Sequence, residues 1–298
     1  MSGIHRREKI SLYRIFRSQS VKSASHWHKK MPQELLSVNN ITMNLTCDTA
    51  LQWIEQLKQV SEETRLSYMD IIVDQAGLRE SIIPALMKPE HNIQWFSLFT
   101  GTPEEGLLEY APILFRIEWK NIMHLTLMEE IFELLHGMPR ILTLFSPLSF
   151  SQITKNLSVL SEAEWGNVSC LLRFYDSRIF PELIKDILTP EQRGDFTDLA
   201  YVWGYLNRDS EARWVIGSFT PETEDKVFSV VLLDDNKIGR LGSISDAEEL
   251  MDYQEFYDRG LSREENFSVL YRYALQALNS NYLGELSDYI RKNNLLTE

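Results

Sequence analysis

From Asp48 onward the apolar positions of the chain fall into a regular pattern. Ala50, Trp53, Ile54, Leu57 and Val60 recur at helical spacing, which predicts an amphipathic helix with one buried face. Tyr68–Val73 reads as a strand that runs into the turn Asp74-Gln-Ala-Gly77, and Ile82, Ile83, Leu86 and Met87 predict a helical stretch after it. Gln94–Phe99 is a short apolar strand. Thr102, Pro103 and Glu105 then have the types expected at N-cap, first turn and capping-box partner, and predict a short helix to about Tyr110. Ile113–Glu118 is the next strand. Thr126 with Glu129 opens a helix carrying Met128, Ile131, Leu134 and Leu135, and Arg140–Phe145 is a further strand. Ser149 with Gln152 opens a helix through Ile153, Leu157 and Leu160, followed by a strand over Ser169–Tyr175.

Strands thus alternate with helices five times, which predicts an α/β fold with a mostly parallel sheet flanked by helices. Thr189-Pro-Glu-Gln192 signals one more capped helix, ending near Asn207, and Arg213–Phe219 with Val227–Leu233 predicts a hairpin. The remaining stretch has only helical periodicity, with capping-box pairs at Ser245/Glu248 and Ser262/Glu265 and an apolar face of Phe267, Leu270, Tyr271, Ala274 and Leu278. Three regions follow: a basic, flexible N-terminal segment over 1–45, an α/β domain over 46–238 and a small helical C-terminal lobe over 239–298.

The junction Cys170–Leu188 draws most of the candidate chemistry together. Cys170, Leu172 and Phe174 alternate with Leu171, Arg173 and Tyr175, and the spacing turns helical at Ile179, Leu183, Ile184 and Ile187, so strand gives way to helix at Asp176. An Asp at that point caps the helix by accepting from its first free amides. The other reading makes Arg173, Asp176 and Arg178 part of a recognition or reactive site, since ligands of open α/β sheets bind at strand ends. Asp74 is a second strand-end carboxylate with the same two readings, turn residue or site.

Composition narrows the function classes. The 298 residues are 44% hydrophobic, enough for a full core in one large domain or two small ones. No apolar run reaches the roughly 18 residues of a membrane span, and no secretory leader pattern is present, so no stable membrane insertion and a cytoplasmic location are expected. Cys47 and Cys170 form no Cys-x-x-Cys pair, the six histidines match no ligand motif, and His26-Trp27-His28 is too little for a metal site. No metal or cofactor is expected. Residues 1–30 hold eight basic side chains against one acid, contributing +7 to a net charge of −13 and leaving −20 on the remainder. So acidic a body argues against nucleic acid as the main partner. The basic segment carries one apolar cluster, Ile10, Leu12, Tyr13, Ile15 and Phe16, and reads either as a poorly ordered tail or as a short amphipathic helix for a membrane surface or acidic partner. Between Asp246 and Asp258 lie six acids and no base, either a solvated face or a docking surface.

The hexapeptide Arg173-Phe174-Tyr175-Asp176-Ser177-Arg178 resembles the Arg-Phe-Tyr-Asp-Pro-Arg signature of the domain of unknown function 4123 family, with Ser177 where that family usually has Pro. Tyr68–Gly77 and Trp95–Pro112 resemble its first two blocks, so about residues 65–205 are covered in order. Characterised members are adaptor chaperones that load toxic effectors onto the spike of the type VI secretion system. The resemblance therefore implies a non-catalytic adaptor whose partners are a cognate secreted effector and a VgrG spike protein, with Asp74, Arg173, Phe174, Tyr175, Asp176 and Arg178 as family-motif positions of structural or recognition role. Phosphate loops, dinucleotide fingerprints and nucleophile elbows are absent from the sequence. The competing reading is a hydrolase or phosphotransferase using Asp74 and Asp176, with Arg173 and Arg178 steadying an anion. Tyr253, Phe256, Tyr257 and Tyr282, set among acids, are the exposed-type aromatics of a partly polar interface at the helical end. The first 45 residues lack the periodicity that would tie them to the core, so a truncation starting near Thr46 is expected to melt cooperatively. Loss of a cooperative thermal transition in that truncation would contradict the expectation.

Overall fold

The computed structural model describes residues 46–295, so the sequence expectation of a flexible basic segment over 1–45 concerns residues outside the described ones. The first helix, α1 (Ala50–Thr64), opens with Thr49 accepting from Gln52 N while the Gln52 side chain returns to Thr49 N. Both exchanges satisfy amides that no helical carbonyl can reach. It closes at Arg65 in the left-handed region (φ 58°). There follow β1 (Tyr68–Asp74), the short α2 (Ile83–Leu86), β2 (Gln94–Ser97), β3 (Pro112–Glu118), α3 (Ile122–Leu134), β4 (Ile141–Phe145), α4 (Phe150–Ser161), β5 (Glu162–Trp165) and β6 (Val168–Leu171). The second half holds α5 (Phe180–Glu182, continued by a π-wound turn over Leu183–Ile187), α6 (Pro190–Thr197), β7 (Val202–Leu206), β8 (Ala212–Ile216), β9 (Val231–Leu233), α7 (Asp235–Leu250), α8 (Arg263–Asn279) and α9 (Leu286–Lys292).

Six strands form one sheet in the order β2-β3-β1-β4-β7-β8, and every neighbouring pair is antiparallel. The fold is mixed α/β with a helical C-terminal region, and the expected mostly parallel sheet is corrected. Alternation of strands and helices by itself implies direct crossovers between neighbours. Instead β1 and β2 run in the same direction with β3 inserted between them, and β3 and β4, joined by α3, run in the same direction with β1 between them. Each crossover thus spans an intervening antiparallel strand, an arrangement that residue periodicity does not encode. The parallel pair among the described strands is β5 with β9, in a separate three-stranded sheet ordered β6-β5-β9.

Several local expectations change for physical reasons. The strand expected over Ser169–Tyr175 ends at Leu171 and belongs to the small sheet, while 172–175 is buried irregular chain. The helix from Thr189 stops at Thr197, and the apolar stretch after it is β7. Arg213–Phe219 and Val227–Leu233 do not pair; β8 joins β7 and β9 joins β5. Thr102 caps only a turn, accepting from Glu104 N, and helical winding waits for a 3-10 turn at Leu108–Tyr110. Asn121, not Thr126, caps α3, and Asp234, not Ser245, caps α7, so Ser245 lies inside a helix that runs across position 238. The capping boxes at Ser149/Gln152, Thr189/Gln192 and Ser262/Glu265 form as read.

The large sheet is covered on both faces. On one, Met69, Ile71, Val73, Phe115 and Ile117 meet Trp53 and Leu57 of α1 and Leu127, Met128, Ile131 and Phe132 of α3. On the other, Ile72, Leu114, Leu142, Leu144 and Trp203 join Leu157 of α4, Phe174, Phe180 and the helices α7, α8 and α9 through Ile244, Leu270 and Ile290. Two-sided burial explains why the central strands are apolar on both faces at most positions. Among the described residues no helix is long and apolar enough to cross a membrane.

One charged pair interrupts the second core. Asp70 on β1 faces Arg116 on β3 directly across the ladder. Arg116 donates through Nε (2.7 Å) and Nη2 (2.6 Å) to the two Asp70 oxygens and through Nη2 to the Leu148 carbonyl (3.0 Å), and its guanidinium lies 4.0 Å over the Tyr68 ring. Burial pushes the Asp70 carboxyl above its usual range while the Arg116 hydrogen bonds pull it back. Removing one partner strands the other without water. Asp70→Ala and Arg116→Ala are each expected to cost about 3–5 kcal/mol, and the double change Asp70→Leu/Arg116→Met much less. Urea midpoints of the three variants check this; equal losses in single and double variants would refute it.

Candidate functional site

The site is built where β1 ends. There the chain must leave the sheet, and Asp74 manages the exit: its Oδ1 accepts from Ala76 N (3.1 Å), and Gly77 takes the left-handed conformation (φ 79°) that turns the chain away. Arg140, next to β4, donates to the carbonyls of Asp74 and Ala76 and fixes the same turn from the neighbouring strand. The Asp74 side chain shares the face of Asp70 and Ile72, a consequence of strand alternation, and is almost wholly buried.

The hexapeptide 173–178 lies against that face. Its charged residues turn to the strand end and its aromatics into the core. Arg173 Nη2 donates to Asp74 Oδ2 at 2.6 Å and lies 3.7 Å from Asp176 Oδ2. Asp176 receives both arms of the Arg178 guanidinium, Nε to Oδ1 (3.0 Å) and Nη2 to Oδ2 (2.7 Å), and also the Arg178 backbone amide (3.0 Å). Burial opposes the Arg173 charge, yet Asp74, Tyr175 and Asp176 outweigh it and hold its pKa above the ordinary value. Phe174 is fully buried, edge-on to Phe196 (5.3 Å), Tyr175 (5.6 Å) and Trp203 (6.5 Å). Tyr175 is buried beside it, and loss of solvent raises its hydroxyl pKa well above the ordinary value, with Arg173 pulling the other way.

All six motif positions, Asp74, Arg173, Phe174, Tyr175, Asp176 and Arg178, therefore meet in one place. The structure changes the local account of Asp176: α5 starts at Phe180 after the cap residue Ile179, and the Asp176 side chain holds the preceding turn at Arg178 N instead of capping the helix. Both carboxylates are occupied by guanidinium groups. The network continues past Arg178, whose carbonyl accepts from Arg208 Nη2 (3.3 Å). Arg208 in turn pairs with Glu248 of α7 (2.6 Å) and Glu264 of α8 (3.2 Å) and stacks 3.3 Å over Phe267.

Behind Arg173 an apolar cavity of about 110 Å³ opens between the small sheet (Trp165, Val168, Leu233) and α7 (Ile238, Leu241), with Arg173 its one charged lining residue. Cys170 also lines it, its thiol pKa raised by burial, the opposite of what an activated nucleophile needs. Among the described residues no group of three or more His, Cys, Asp or Glu side chains could hold a metal ion.

Sequence reasoning missed Asp70, Arg116 and Arg208. Asp70 and Arg116 each stand as a charge inside a strand of apolar neighbours, a pattern that flags a buried pair; Arg208 sits in a polar turn and gives no such signal. At the helical end, Tyr253 is exposed, Tyr257 and Tyr282 are half-buried, and Phe256 is buried beneath Arg291, 5.2 Å away, which corrects its expected exposure. Of the six acids from Asp246 to Asp258, Glu248 and Glu255 serve ion pairs within the fold.

A family model described as a domain of unknown function (DUF4123) matches residues 71–195. No curated protein and no solved structure matches the chain. The matched span runs from Ile71 within β1 through the hexapeptide to Asp195 within α6, and so takes in the whole of the Asp74–Arg173–Asp176–Arg178 network.

Asp176→Ala removes a carboxylate that serves two guanidinium groups and one amide, and is expected to cost about 1–3 kcal/mol because both arginines are partly solvated. Asp176→Asn keeps the acceptor for Arg178 N and should recover part of that loss. Chemical denaturation of the two variants checks it; equal stability of Ala and wild type would show the network is not structural.

Proposed function

Residues 71–195 belong to the DUF4123 family, and on that membership we propose that the chain is a non-catalytic adaptor chaperone. It binds one secreted effector of a type VI secretion system in the cytoplasm and passes it to a VgrG spike protein. The observation that carries this reading is the match over residues 71–195, which contains the complete charged network of the hexapeptide. The chemistry of that network supports it. Asp74 and Asp176 are engaged by Arg173 and Arg178, so a hydrolytic role would require both carboxylates to leave their partners before acting as acid, base or ligand. A scaffold held by such pairs presents a fixed surface to a partner, and the helical end, with Tyr253 exposed among acids, offers part of that surface.

Co-expression with any candidate effector and spike protein encoded beside this gene, followed by size-exclusion chromatography, tests the reading. A complex with a single effector, joined by the spike protein, is the expected outcome. Exchange of residues 240–298 for those of a relative serving another effector is expected to redirect effector choice. Failure to co-elute with any neighbouring effector would overturn the adaptor reading, and unchanged choice after the exchange would remove the role given to the helical end.

A further inference from the structure

The small sheet is ordered β6-β5-β9, so β6 and β9 are its two edges. An open edge presents unpaired amides and carbonyls. The β9 edge is closed from within the chain, where the Leu232 carbonyl accepts from Gln192 Nε2 (2.8 Å) and Lys237 Nζ (2.9 Å). β6 is different. Leu172 N donates to the Ser161 carbonyl (2.8 Å), which makes Cys170 with Ala163 and Val168 with Trp165 the hydrogen-bonded pairs of the ladder. The amides and carbonyls of Ser169 and Leu171 therefore point away from β5, and among the described residues they have no backbone partner.

That edge borders the apolar cavity of about 110 Å³ behind Arg173, which Val168 and Cys170 of β6 share with Trp165, Leu233, Ile238 and Gly242. Apolar cavities stay dry and take apolar groups. Two glycines of α7 show how the space is kept. A Cβ at Gly239 would lie 2.6 Å from Leu278 of α8, so helix packing requires that glycine, whereas a Cβ at Gly242 would meet nothing within 4 Å. Gly242 is exposed, and its missing side chain leaves the rim of the cavity open. The opposite face of the sheet is acidic. Glu162 and Glu164 alternate with Ala163 and Trp165 and stand exposed there. Loss of solvent, and after it the charge of Glu104, holds the Glu162 carboxyl above its usual range. Glu104 is itself buried, and its Oε2 has no hydrogen-bond donor among the described residues.

We propose that β6 is a docking edge for an extended segment of a partner protein in which apolar and basic residues alternate. The segment pairs with the outward amides and carbonyls of Ser169 and Leu171, sets an apolar side chain in the cavity, and lays its basic side chains along Glu162 and Glu164. A second copy of this chain is a poorer occupant, because two β6 edges meeting about a two-fold axis would bring like-charged acidic faces together. The inference stands on the strand edge, the cavity and the charge, and does not require the adaptor reading.

Fluorescence anisotropy with the full-length chain tests it, using a labelled peptide of alternating Leu and Lys. Saturable binding is expected. N-methylation of every second peptide amide removes donors facing β6 in one phase and donors facing solvent in the other, at equal charge and apolarity. One methylated peptide is therefore expected to bind about tenfold more weakly and the other as the parent does. Gly242→Leu is expected to weaken the parent peptide about tenfold at an unchanged or raised melting temperature, since leucine suits a helix interior better than glycine. Glu162→Lys/Glu164→Lys should weaken it about as much. No saturable binding, equal affinity of the two methylated peptides, wild-type affinity in Gly242→Leu, indifference to the charge reversal, or self-association of the chain that excludes the peptide would each overturn the proposal. Should Gly242→Leu lose its melting transition, the two methylated peptides on the wild-type chain carry the test: a difference between them supports strand pairing, and equality overturns it.

Discussion

The guanidinium of Arg173 lies 2.6 Å from the Asp74 carboxylate, and through it irregular chain that carries no ladder hydrogen bonds is fastened to the end of the central strand. Because Asp74 is almost fully buried, its charge is tolerable only while Arg173 is present. The constraint propagates. Asp176 is drawn to the same guanidinium, Arg178 forks onto Asp176, and Arg208 reads the Arg178 carbonyl and spreads to Glu248 and Glu264. One continuous line of charged side chains, bridged between Arg178 and Arg208 by a backbone carbonyl, thus runs from the end of the central strand to α7 and α8.

The aromatics of the hexapeptide make that line possible. Phe174, held between Phe196 and Trp203, anchors the chain from below, so that Arg173 and Asp176 emerge on the side facing β1. Phe180 repeats the contact one turn later, 5.1 Å from Trp203. Packing fixes where the loop lies, and ion pairing fixes which way it faces; neither alone specifies both.

Elements governed by neighbours in sequence were legible. Thr189 with Gln192 and Ser262 with Glu265 cap helices as their spacing requires, because a capping box closes within four residues. Ser245 with Glu248 has the same spacing and caps nothing, since Asp234 had already started the helix and Glu248 is taken by Arg208. Strand order was not legible: β1 sits between β3 and β4 through pairings some 40 to 75 residues apart, which the alternation of elements leaves open. Leu172–Tyr175 alternates in sequence like a strand because Leu172 and Phe174 are buried on either side of the half-buried Arg173, but Tyr175 is buried as well and no ladder forms. The six motif positions were found together in the sequence, but their connection, arginine against carboxylate across 99 residues, is visible only in space.

Arg208 also sets a rule of exchange for this architecture. Its side chain is enclosed, and from the turn between β7 and β8 it reaches the Arg178 carbonyl and, at three places on the helical end, one carboxylate on α7, one on α8 and the face of Phe267. A foreign helical end grafted onto this sheet brings its own residues to those three places. Grafts that supply two acids and an aromatic ring there inherit a ready socket, whereas those that do not must rebuild the joint. The joint between the C-terminal helices and the sheet therefore turns on a single arginine in the loop that links β7 to β8.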